Sequence, residues 1–313
     1  MNEIVVSIIA LLSGMTLPDT TLPVARYHQN IVQAEHAYFI QHDARKGMVY
    51  YDSAFAQWPG LMYDHLHASF AAMDDYHYRK FDEYICMGNK AGLNLEDVRR
   101  LYRKTDPARW VSFSKYVDDV RVGFYGFFRY KFNFPKASYR STSFRVQRMH
   151  LRDVRVHRWG IRRMLCKKSA EKRHLRKLEE ITENTGYPDI NHMGDAYPCK
   201  NCAYPYMSIL QHHAKRADFP QTLKRIYPAL LKALESGGLY ARSIPFLIDT
   251  YLFYQGTPQL FGTLHVYRQG KDKVWKEYLH PVADLALANQ WRAQFFLNPL
   301  EDQIKMTGVN FLE

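Results

Sequence analysis

The chain is poor in cysteine, has no long apolar run and carries no nucleotide fingerprint, and each lack closes off a class. Four cysteines among 313 residues, Cys86, Cys166, Cys199 and Cys202, are too few to form a disulfide framework. The apolar stretch at 4–12 is too short to cross a bilayer as a helix. As a signal sequence it is atypical, with Glu3 where a basic residue is expected, so a cytoplasmic location is expected. No glycine-rich phosphate loop occurs, and no cofactor is expected. Gly-x-Ser-x-Gly and His-Glu-x-x-His are both missing, so no serine or cysteine stands in a recognisable nucleophile context.

What is present is a globular composition rich in tyrosine and phenylalanine: 47% hydrophobic, 15% aromatic and 24% charged residues. A chain of this length can hold two domains, each large enough to bury its own core. The net charge of +12 is concentrated in one place. Residues 121–180 contain 18 Lys/Arg and 4 Asp/Glu, a balance of +14, which leaves the rest of the chain at −2. Such a segment suits a nucleic-acid backbone or another polyanion. It equally suits a solvated helix face whose arginine stems cover apolar surface.

Apolar spacing predicts helical hairpins over 24–104. Ile31, Ala34, Tyr38 and Phe39 share one face until Asp43 breaks the pattern. Gly47, Met48, Tyr51, Ala54 and Phe55 form the next face, which Trp58-Pro59 ends. Leu61 to Met73 and Tyr76 to Met87 form a second pair, and Leu95 to Tyr102 begins a third. Phe39 and Asp43 recur 31 residues later as Phe70 and Asp74, a period that indicates stacked helix pairs. The series Tyr38, Gly47, Tyr51, Ala54, Pro59 resembles the tetratricopeptide repeat, with glycine where that family usually has alanine. The resemblance implies a protein or peptide partner held by the repeats.

Residues 105–144 read as a packed connector, with Pro107, Pro135 and the aromatic run from Phe124 to Phe128. From Arg145 to Thr182 a basic helix is expected, with a break near Gly160 and a stop at Gly186-Tyr187-Pro188. Further helices are expected over 205–217, 221–235 and 244–254. Pro228 should kink or split the second of these, and Gly237-Gly238 should cap it. Strands at 260–268 and 273–280 flank the turn signal Gln269-Gly270-Lys271-Asp272, and a helix at 283–296 closes the pattern. The expected fold is mainly α: helical hairpins at the N-terminal end, then a mostly helical α+β domain over 145–313 with one β-hairpin.

That second region holds polar residues that ordinary packing leaves unexplained: Gln211, His212, Asp249, Gln259, Gly262, Thr263 and Arg292, set among apolar runs. With Gly186-Tyr187-Pro188, Gly194, Gly256, Pro281 and Pro299-Leu300, their order resembles domain-of-unknown-function family 6624. Three positions depart from that family's pattern. Thr250 replaces an arginine, Phe261 a tyrosine and Leu264 a glutamine, so that, were the network catalytic, the resemblance implies a weakened or inactive copy.

Chemically, His212 is a candidate general base that Asp249 would orient. Gln259 and the Gly262-Thr263 backbone are candidate oxyanion donors. The alternative is a buried polar network with a structural role. The pair Cys199 and Cys202, beside His192, His212 and His213, is a candidate zinc site, a reversible disulfide or a pair of loop thiols. The favoured reading is a protein-interaction scaffold with an appended domain. The alternatives are a hydrolase-like enzyme using His212, Asp249 and Gln259, and sequence-independent nucleic-acid binding through 121–180.

Overall fold

A computed structural model of the protein describes residues 3–91, 145–146, 148–150, 152, 162–189, 205–269 and 275–311. The expected helix at 95–102, the connector 105–144, Gly160, Cys199, Cys202 and the 270–272 turn lie outside them. The chain divides into two compact units. One comprises Arg26–Ala137 with Met193–Pro198, and the other Met1–Ala25, Ser138–His192 and Cys199–Glu313. The described residues are mainly helical, with one antiparallel hairpin.

The first unit is a run of helices packed in chain order. α2 (Pro23–Glu35) continues into one π-helical turn, His36–Ile40. α3 (Ala44–Gln57), α4 (Met62–Asp74) and α5 (Tyr78–Lys90) follow, with α3 against the π turn and α4 against both α3 and α5. The Asp43 side chain caps α3 by accepting from the Lys46 amide at 2.9 Å. A methyl group on Gly47 would lie 3.0 Å from the Tyr38 β-carbon, so glycine lets α3 approach the π turn closely. The core contains Tyr27, Tyr38, Met48, Tyr51, Ala54, Leu66, Phe70, Phe81 and Tyr84.

Three tyrosine–aspartate bonds tie these helices across 32 to 37 residues: Tyr27 to Asp64, Tyr38 to Asp74 at 2.7 Å and Tyr84 to Asp52 at 2.9 Å. In each, an aromatic body fills the core while its hydroxyl finds a carboxylate. After α3, Trp58 is extended as expected, and Gly60 takes φ +89°. His65 closes that bend. Its Nε2–H donates to the Pro59 carbonyl at 2.8 Å, and its ring stacks on Phe55 at 4.1 Å.

In the second unit α1 (Glu3–Ser13) buries Val5, Ile8 and Leu12 against α8 (Phe219–Glu235). The Asp19 amide reaches Glu235, and the Tyr227 hydroxyl reaches the Thr16 carbonyl, so this early segment is part of the C-terminal core. α6 (Arg162–Thr185) ends where Gly186 turns to φ +80°. It packs on α7 (Pro205–His213), which in turn packs on α9 (Ser243–Tyr254).

Pro228 does not split α8. Pro228 and Lys224 both lie on the exposed side, where water can take the carbonyl that proline leaves unpaired. The helix ends in a paired glycine cap: the Gly238 amide bonds the Ala233 carbonyl and the Gly237 amide that of Leu234.

β1 (His265–Gln269) pairs antiparallel with β2 (Trp275–Leu279), placing His265 opposite Leu279 and Tyr267 opposite Glu277. The first strand starts five residues later than expected, because 260–264 forms a buried turn. After α10 (Leu285–Gln294), a further helix α11 (Leu300–Thr307) and a short strand β3 (Asn310–Phe311) complete the unit. β3 lies parallel to β2, and Leu279, Leu300 and Val309 form a small core beneath them.

Candidate functional site

Five of the seven predicted residues meet around the turn 259–264. Asp249, on α9, supplies both carboxylate oxygens. One accepts the amides of Leu260 and Phe261 at 2.9 and 3.0 Å. The other accepts the Thr263 amide at 2.8 Å and its hydroxyl at 2.7 Å. The turn's carbonyls are met by cations: Arg292 Nη1 donates to Phe261 O at 2.7 Å, and Arg242 donates to Thr263 O.

Gln259 spans the rest. Its Oε1 accepts the Leu264 amide at 2.6 Å, while Nε2 donates to Leu264 O at 3.1 Å and to His280 O at 2.6 Å. Its own backbone bonds Pro281 O and the Ala283 amide. Gly262 sits at φ +70° with the Leu300 side chain over it, so an added β-carbon would lie 2.7 Å from Leu300 Cδ1. Burial of irregular backbone demands partners for its polar groups, and these side chains are those partners.

The assembly is sealed. Asp249 and Gln259 are 0% exposed, Thr263 and Arg292 2%. Burial raises the Asp249 carboxyl above its ordinary range, against the pull of its four hydrogen bonds. Ionisation fits the geometry, because a proton on either oxygen would face a donor and leave it unpaired. Burial also brings Arg292 down to about 10. Its Nε–H donates to Asn298 O at 2.6 Å, so both the turn and the approach to α11 hang on one guanidinium.

Gln211 and His212 are half-buried on α7 and make no hydrogen bond to Asp249, Gln259, Thr263 or Arg292. A carboxylate has about four lone-pair sites, and all four of Asp249's hold turn donors, so none remains to orient an imidazole. The neighbouring His213 is the buried one, with Nε2 3.0 Å from Thr222 Oγ1 and its basicity lowered by burial.

Thr250, Phe261 and Leu264 each have a local role. The Thr250 hydroxyl bonds the Phe246 carbonyl on its own helix. Phe261 packs edge-on against Trp291 and Phe295. Leu264 contributes its backbone to Gln259.

A second polar group escaped the sequence reading. On one face of the hairpin, His265 Nδ1 lies 3.0 Å from Glu277 Oε1, and Tyr267 stands directly opposite Glu277 on the ladder. Burial, with Arg242 and Arg292 nearby, lowers the His265 imidazole despite Glu277. The signal was the hairpin itself, since pairing strands about 270–274 places 265 and 277 diagonally across the ladder.

Among the described residues, no three His, Cys, Asp or Glu side chains gather as metal ligands, and no helix is long and apolar enough to cross a membrane. No known protein family, curated protein or solved structure matches the chain.

Proposed function

We propose that the protein is an interaction scaffold whose helical hairpins, residues 26–91, bind a protein or peptide partner. The observation that carries this reading is the packing of α3, α4 and α5 in chain order. It is the arrangement by which repeat proteins build a core from neighbours and leave a broad surface for partners. The tetratricopeptide-like spacing agrees with it, and Gly47 meets a steric need at the small-residue position. Tyr63, Tyr76 and Tyr78 stand exposed on this unit, Tyr76 at 78%, and tyrosine is a residue type that interfaces favour.

The hydrolase-like alternative has less support, because Asp249 and Gln259 are fully engaged with the turn they hold. The resemblance of residues 145–313 to family 6624 is kept as part of this proposal, with the polar set in a structural role.

Affinity capture with the full chain tests the reading. A partner should be lost from a Tyr63→Ala, Tyr76→Ala, Tyr78→Ala triple variant of unchanged circular dichroism. Retention by that variant, together with loss from variants confined to 205–311, would move the binding surface to the other unit and overturn the proposal.

A further inference from the structure

A cleft of about 320 Å³ opens in the second unit between α1 and the start of α8. One wall is aliphatic: Ile4, Ile8 and Leu11 from α1, with Pro220 from the first turn of α8. The other carries Gln221, Lys224 and Tyr251. None of these three polar groups has a counterpart within the protein among the described residues. Lys224 makes no ion pair and Gln221 no hydrogen bond, although the two are neighbours three apart on one helical face. The Tyr251 ring is buried, with the residue 7% exposed, while its hydroxyl stays accessible at the cleft and has no hydrogen bond to the described residues.

The helix contributes as well. Its first turn carries the positive end of the α8 dipole, and Asp218, the capping residue, makes no side-chain hydrogen bond to it. Lys224 stands one turn further along the same helix and adds its ammonium to the same side of the cleft.

We infer that this cleft binds a small monocarboxylate with an aliphatic tail. The carboxylate accepts from the Lys224 ammonium, the Gln221 amide and the Tyr251 hydroxyl, and the tail lies along Ile4, Ile8 and Leu11. The volume is near the lower end of the range for ligand pockets, about 300–1,000 Å³, which suits a short acyl chain rather than a nucleotide or a peptide. The site is separate from the Asp249 turn and from the hairpin unit, so it stands whether or not these bind a partner.

Calorimetric titration of the full chain with octanoate, and in parallel with octan-1-ol, tests the assignment. Octanoate should bind saturably and at least roughly tenfold more tightly than the alcohol, because charge-assisted hydrogen bonds serve only the anion. Lys224→Met, at an exposed position, should weaken octanoate by roughly tenfold and leave octanol unchanged. Ser7→Trp, which fills the cleft without removing a core side chain, should abolish both. The inference fails if octanoate shows no saturation, if the alcohol binds equally well, or if Lys224→Met leaves octanoate affinity intact while circular dichroism shows a native fold.

Discussion

Asp249 holds the buried turn 259–264 together, because one carboxylate answers three of its amides and a hydroxyl. Removing it leaves those donors without partners, each at about 1–3 kcal/mol. Asp249→Ala should therefore lower the unfolding free energy by at least about 3 kcal/mol in urea titrations followed through the C-terminal unit. A loss under about 1 kcal/mol would mean that water replaces the carboxylate. Gly262 is constrained twice, by its left-handed backbone and by Leu300 above it. Gly262→Ala should cost about 1–3 kcal/mol, and pairing it with Leu300→Ala should recover part of the steric share in a double-mutant cycle. Which residues would matter was legible at this scale: polar types amid apolar runs stood out. How they matter was not, since a carboxylate that orients a histidine and one that holds a turn look the same in sequence.

At the scale of elements, the hairpins were readable because their signals are local. Asp43 caps α3 where the apolar spacing breaks, and Trp58-Pro59 ends it. Asp43→Ala should cost about 1 kcal/mol in chemical denaturation, the usual worth of an N-cap. Proline at 228 did not split the helix, because the rule against interior proline assumes that the freed carbonyl has no other partner. On the exposed side of α8 it has water. Pro228→Ala should accordingly raise the melting temperature of this unit, with a gain of about 1–3 kcal/mol from the restored hydrogen bond and the relieved ring contact. No change in melting would show that the helix has already absorbed the proline. The late start of β1 and the parallel strand β3 were missed for one reason. Both depend on partners distant in sequence: Asp249 for the turn, and β2 for the last strand.

Across the hairpin unit, buried histidines should couple stability to pH. Burial brings both His28 and His65 down from 6.5 to about 4, so the fold holds them neutral while the unfolded chain protonates them. Their contribution is complete above about 6.5 and is lost as the pH falls from there to about 4. His67 has the opposite sign. Burial opposes its charge, but the hydrogen bond and attraction of Glu35 raise it, so its contribution is present in mild acid and lost as the pH climbs through the raised value. Two neutral histidines outnumber one charged one, so the urea midpoint of this unit should fall between pH 6.5 and 4. The imidazole signals of His28 and His65 should stay neutral down to about pH 4. Titration of either near 6.5 in the folded protein would refute the account.

By itself the sequence determined helices α2 to α10, the order of the hairpins, the class of fold and the identity of the unusual polar residues, because capping, periodicity and proline act over a few neighbours. Tertiary structure alone decided that the polar set is a sealed clamp, that α1 joins the C-terminal core, and that a cleft remains between α1 and α8. Those outcomes depend on which distant groups satisfy a buried donor or cover an apolar face, and nothing within a short window of residues encodes that choice.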